Sequence, residues 1–217
     1  MTGSRSVRTI DFCYDIISPY AHIALRRFGE LPGDVTVRPV PVLLGAILAH
    51  WGQRGPAEIA AKRLHTYRQS VFLGHQHGVE ISFPPRHPFN PLKALRLLSG
   101  ANADLEMVRT AFDFVFAEGR APDTDEEILA FAHRLGLPVS LAEDGPAKAA
   151  LRANTDQAIA RGVFGVPSLV CQTAAGHEVF WGVDGFDMAL AWLEDAALFE
   201  RPGYKRLDDV EIGIERK

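Results

Sequence analysis

Thiols are nearly absent from this 217-residue chain, which has only Cys13 and Cys171. They lie in separate apolar segments, so the sequence offers neither a disulfide framework nor a four-ligand zinc site. Both read as small buried hydrophobes, reduced and dispensable, whose sulfurs could be near one another if their two strands were neighbours. No run of eighteen or more apolar residues occurs, so no membrane-spanning helix is expected. The start, MTGSRSVRTIDF, lacks the apolar run and small-residue cleavage site of a signal peptide, and a cytoplasmic address is the default expectation. The formal charge is −4, with no long basic run, which removes the electrostatic footprint of a nucleic-acid binder. His75 and His77 have no two further ligands evident beside them, so no metal is expected. Internal repeats and low-complexity linkers are absent too.

What is present is ordinary globular composition, 47% apolar, in a chain long enough for one large domain or for one domain with another inserted. Strand-like segments rich in β-branched and aromatic residues sit near the ends: RTIDFCYD and DVTVRPVPVLL early, PSLVCQTA and HEVFWG late. Between them the periodicity is helical. ANADLEMVRTAFDFVFAEG places Leu105, Val108, Phe112 and Val115 on one stripe, with Asn102 as N-cap and Gly119 as stop. TDEEILAFAHRLGLP opens on the capping pair Thr124 and Glu127, and GPAKAALRANTDQAIARG runs from Pro146 to a stop at Gly162. Residues 184–198 read as a closing helix and 199–217 as a mostly polar tail. The pattern is a split α/β domain, residues 1–45 and 162–217, carrying a helical insertion over 46–161.

The stretch DFCYDIISPYAHIALRRF, residues 11–28, runs from a strand through a turn into a helix. Ser18 and Pro19 stand at the join. A helix N-terminus carries about half a positive charge and several unpaired N–H groups, so an anion is favoured beside Ser18, whose hydroxyl has a hydrogen bond to give. A plain N-cap before Pro19 is the alternative reading. Hydrolysis by Ser18 with His22, four residues on, is weaker, because neither a Gly-x-Ser-x-Gly elbow nor a third orienting residue is evident. Asp184, after FWG, reads as an N-cap or as an acceptor for an amino group, and Trp181 as packing. Lys62, Arg68, Arg86 and His87 are candidate partners for an acidic substrate, though lone cations are usually solvated surface.

Three stretches, DFCYDIISPYAHIALRR, RGVFGVPSLV and VFWGVDGFD, in this order and spacing, resemble the DsbA-type thioredoxin-like family. Within it they resemble the branch of 2-hydroxychromene-2-carboxylate isomerases and kappa-class glutathione transferases. The similarity extends over nearly the whole chain, including VLLGAILAHWGQRGP and AEGRAPDTDEEI. It implies an α/β thioredoxin-like fold with a large helical insertion, and glutathione as cofactor. Ser18 then faces the glutathione sulfur, while Val166, a cis Pro167, Val183, Asp184 and Lys62 hold the tripeptide. Tyr20, Gln53, Arg54 and His87 contact a small aromatic carboxylate substrate. Two positions depart from the family pattern: Val183, where a hydrogen-bonding side chain is frequent, and Gln53, where Asn is common. The implied activity is glutathione-dependent isomerisation of 2-hydroxychromene-2-carboxylate to trans-o-hydroxybenzylidenepyruvate. A kappa-type transferase or a non-catalytic glutathione-binding module are the alternatives, and a homodimer is the expected assembly if the chain self-associates. A DsbA-type oxidant is excluded, because positions 18 and 21 carry Ser and Ala where its two thiols would stand.

Overall fold

A computed structural model describes residues 8–173 and 176–214. Among these residues four strands form one mixed sheet, in the order β2-β1-β3-β4. The strands are β1 (Arg8–Tyr14), β2 (Val35–Pro41), β3 (Ser168–Gln172) and β4 (His177–Trp181). β1 runs parallel to β2 and antiparallel to β3, with Ile10 opposite Cys171 and Cys13 opposite Ser168. Pro39 and Pro41 lie on β2, an edge strand, where a missing N–H costs least. The crossover from β1 to β2 carries helix α1 (Pro19–Arg26).

Period-two alternation along β1 divides its side chains between two cores. Ile10, Phe12 and Tyr14 enter the larger core, with Phe28, Phe112, Phe116, Phe180 and Phe186; Cys13 enters a smaller one with Val40, Val42, Val163 and Val170. Cys171, opposite Ile10, belongs to the larger core. The two cysteines therefore occupy neighbouring strands but opposite faces of the sheet, so the pairing of their strands does not bring the sulfurs together. Burial pushes both thiols up to about 12.

The helical elements between the strand pairs are α2 (Leu44–His50), α3 (Ala60–Gln76), α4 (Leu92–Gly100), α5 (Leu105–Phe112), α6 (Asp125–Arg134) and α7 (Gly145–Ala160). α4 is central and buries Ala94, Leu95, Leu97 and Leu98. Two details correct the sequence reading. Asn102 does not cap α5: it adopts φ 48° just past α4, and Asp104 caps α5 by accepting the Met107 N–H at 2.8 Å. The long stripe through residue 117 is also not one helix, because α5 ends at Phe112 and a π-helical turn covers Asp113–Ala117 before Gly119 at φ 68°. After β4 come α8 (Gly182–Glu194) and the short α9 (Pro202–Lys205). No helix among the described residues is long and apolar enough to cross a membrane.

Candidate functional site at the start of α1

Ser18 is buried and caps α1, its Oγ accepting the Ala21 N–H at 3.2 Å. The cap and the ligand readings are thus not exclusive. One lone pair is used, while among the described residues the hydroxyl proton has within reach only the Val166 carbonyl at 3.5 Å, the long limit of a hydrogen bond. That carbonyl belongs to the Val166–Pro167 bond, which is cis. The Val166 N–H has no acceptor among the described residues. Pro167 O in turn accepts the Gly182 N–H at 2.9 Å, so the loop before β3 faces Ser18 on one side and is tied to the start of α8 on the other.

α8 places Asp184 in its first turn. Trp181 occupies the cap position and Asp184 stands three residues further on, so the N-cap role expected for Asp184 is not the one found. Its carboxylate is exposed and leans back over Gly182, where a Cβ would lie 2.6 Å from Oδ1 and where φ is 88°. Glycine meets both demands at once. Val183 is buried, and its carbonyl accepts from the buried Arg27 at 3.1 Å, so its side chain packs inward. Trp181 is half-exposed, with its indole over Gly165 and beside Phe164 at a ring separation of 5.3 Å.

On the other flank, Tyr20 on α1 reaches α3, its hydroxyl 2.9 Å from Gln69 Oε1 and 3.3 Å from Thr66 O. Thr66 bonds back to Lys62 O, which puts exposed Lys62 one turn nearer the start of α3. Trp51 donates to Val163 O at 3.0 Å, which brings the segment after α2 to the same loop, and exposed Gln53 and Arg54 follow it. Arg54 reaches only Glu58 O, at 3.4 Å, and Lys62 has no ion-pair partner among the described residues. Arg86 is committed to Asp123 at 2.8 Å, which removes it from the free cations.

His87 is placed beside the site but is already occupied. Nε2 donates to Ile17 O at 2.8 Å and Nδ1 lies 3.0 Å from the Tyr67 hydroxyl, inside a cage of Phe83, Phe89 and Phe116. It holds the peptide ahead of Ser18 and is not a free substrate contact. The His87–Pro88 bond is a second cis bond, which the sequence reading missed. His22 is no base for Ser18: its ring lies against Phe112 and Phe116, Nδ1 is buried without a partner, and burial pulls it down to about 4. Asp15 went unremarked in the sequence, although a carboxylate at the end of an apolar strand was a signal. It is fully buried, and its carboxylate accepts the N–H groups of Ile17 and Leu44. A cavity of about 710 Å³ at the other end of β1, lined by Ile10, Cys171, Trp192 and Phe199 among others, lies away from this arrangement.

The site thus joins a helix N-terminus, an available hydroxyl proton, an unpaired backbone N–H and an exposed carboxylate, with no protein thiol at the motif. Comparison with known proteins bears on the fold that carries this arrangement. The DSBA-like thioredoxin domain model matches residues 9–194. A 2-hydroxychromene-2-carboxylate isomerase from Pseudomonas putida is 28% identical over 184 residues, covering 81% of this chain and 89% of the relative. The glutathione S-transferase kappa 1 of Caenorhabditis elegans is 25% identical over 199 residues, covering 82% and 88%. A solved 2-hydroxychromene-2-carboxylate isomerase superposes with TM-score 0.69 at 24% identity, covering 94% of this chain and 100% of that one. A four-stranded mixed sheet interrupted by a helical block, with Ser18 at the start of α1 facing a cis-proline loop, is thus the fold of a chain that belongs to the DSBA-like thioredoxin domain family.

Proposed function

We propose that the protein is a glutathione-dependent isomerase of an aromatic ring-cleavage product, most concretely converting 2-hydroxychromene-2-carboxylate to trans-o-hydroxybenzylidenepyruvate. The observation that carries this is Ser18. A redox-type scaffold presents, where its reactive thiol would stand, a hydroxyl whose proton is not firmly committed, while Cys13 is buried in the sheet and held as the thiol. A thiol for this site must then come from a ligand, and the chain's remaining groups suit a tripeptide. The unpaired Val166 N–H offers an extended backbone a partner in the manner of strand addition, and Asp184 is exposed for an α-amino group.

When bound, glutathione supplies a nucleophilic thiolate that is regenerated in each turnover, so the reaction has no net redox change. The chain's part is electrostatic and positional. Ser18 donates to the sulfur, and the positive end of the α1 dipole favours its anionic form, as at other helix N-termini where thiol pKa values fall from about 8.5 by one unit or more. Each unit is about 1.4 kcal/mol. Arg54 and the amide of Gln53 stand ready for the substrate carboxylate, and exposed Lys62 for a carboxylate of the tripeptide. Asn is common at position 53 in the branch, and Gln53 moves that amide outward by a methylene. Tyr20 and His87 shape the wall, since their polar atoms are already engaged. Turnover of 2-hydroxychromene-2-carboxylate with and without glutathione tests the reading: dependence on glutathione supports it, and equal rates overturn it.

The relative named a kappa transferase favours a second reading, in which the same thiolate attacks an electrophile and the product leaves as a conjugate. Accumulation of a conjugate with an electrophilic aromatic, without isomerase turnover, would select it.

A further inference from the structure

Asp15 stands three residues before Ser18 and is 0% exposed, yet no step above uses it. Each of its oxygens has its own partner. Oδ1 accepts the Ile17 N–H at 3.1 Å and Oδ2 the Leu44 N–H at 2.9 Å, while the Asp15 carbonyl accepts the Ser18 N–H at 3.0 Å. Ile17 lies in the loop that presents Ser18, and Leu44 is the first residue of α2, the helix that leads to Gln53. The cap position of α2 is Leu43, which has no side-chain acceptor to offer; its own N–H goes to Thr155 of α7 at 3.1 Å. Asp15 therefore caps α2 from across the fold.

No cation among the described residues pairs with this carboxylate. Burial pushes it up to about 7, opposed by the N–H groups of Leu44 and Ile17, and its charge in turn raises the neighbouring Tyr14, whose buried hydroxyl is unpartnered. An uncompensated buried acid is expensive to keep. The arrangement needs two acceptors aimed at two N–H groups, which a carboxylate supplies and an amide of the same shape does not, since its NH2 would face a donor.

We propose that Asp15 is a positioning residue: its carboxylate splints the loop carrying Ser18 to the start of α2, and so holds the Ser18 hydroxyl where it meets the glutathione sulfur. The inference rests on the reading of Ser18 given above. His87 clamps the Ile17 carbonyl while Asp15 takes the Ile17 N–H, so the residue before Ser18 is fixed on both its polar groups. The splint is complete when Asp15 is ionised. Protonation leaves one oxygen a full acceptor and weakens the other.

The test is the thiol pKa of bound glutathione, read from thiolate absorbance in the wild type, Asp15→Asn, Leu44→Pro and Leu44→Ala. Proline is favoured at the first helical position and needs an extended residue before it; Leu43 is extended (φ −90°, ψ 102°). Leu44→Pro thus deletes one donor to Asp15 and keeps the helix, while Leu44→Ala keeps the donor. The expected result is a bound thiol pKa raised by about one unit, a tenfold smaller thiolate ratio, in Asp15→Asn. Leu44→Pro should shift the same way, and Leu44→Ala should match the wild type. A residue acting through its charge alone predicts the opposite sign, because removing a nearby negative charge lowers the thiol pKa, and that outcome overturns the proposal. So does an unmoved pKa with a lowered melting temperature. If Asp15→Asn does not fold, Leu44→Pro against Leu44→Ala decides. A wild type that does not lower the thiol pKa would instead remove the Ser18 reading, and this inference with it.

Discussion

Burial acts on two side chains around Ser18 with opposite consequences for pH. His22, pulled down to about 4, stays neutral in the fold, whereas the unfolded chain takes up its proton below about 6.5. Its contribution to stability is present above about 6.5 and is lost as pH falls toward 4. Asp15, pushed up to about 7, works the other way: its contribution is present below about 4 and is lost as pH rises toward 7. The two nearly offset one another between these limits. Replacing His22→Phe should leave the Asp15 slope alone, so that urea-measured stability falls steadily from pH 4 to 7 where the wild type is flatter; the same profile in both would contradict the assignment. Neither shift was legible from sequence. His22 could be seen at helical spacing from Ser18, but its aromatic neighbours Phe112 and Phe116 come from ninety residues further along the chain.

Helix boundaries show which part of the architecture local sequence specifies. Thr124 caps α6 as its sequence predicts, accepting the Glu127 N–H at 3.2 Å, because the signal is contained within four residues. The Glu127 carboxylate, however, does not close the reciprocal half of the capping box; it pairs with Arg120 at 2.9 Å, a partner outside the motif. Asn102 and Asp104 are both competent caps, and which one serves depends on how α4 ends. The Ala103 N–H reaches back to Leu98 O at 3.0 Å, which commits Asn102 to the left-handed turn that closes α4. Close approach of α4 and α7 occurs at Gly100, where a Cβ would lie 2.8 Å from Ala147 Cβ and 3.1 Å from Leu141. Gly100→Ala should therefore destabilise by about 1–3 kcal/mol, and Ala147→Gly in the same chain should restore part of the loss. Thermal melts of the two single variants and the double variant check this, and strictly additive losses would count against the contact.

At the scale of the whole molecule, the sheet is assembled from the two ends of the chain, and the site forms where they meet: Ser18 after β1, Val166 and Pro167 before β3, Asp184 after β4. These three stretches were legible because each carries its own short motif, whereas the His87 clamp and the Asp15 splint depend on contacts of seventy and twenty-nine residues' separation. On this account the cysteines take no part. With Cys13 and Cys171 on opposite faces of the sheet and both thiols pushed up to about 12, the double Ala variant should retain turnover, and thiol reagents should react only as the protein unfolds; loss of activity with the fold retained would contradict this. The central claim is that Ser18 stabilises a thiolate the protein does not itself contain, and Ser18→Ala tests it most directly. As a cap alone, the serine is worth about 0.5–2 kcal/mol of stability and its loss leaves turnover intact. On the present account the variant stays folded and binds glutathione, but thiolate absorbance titrated in the complex gives a pKa higher than in the wild type, with a fall in rate at neutral pH that is partly recovered as pH rises; equal pKa values in the two proteins would contradict it.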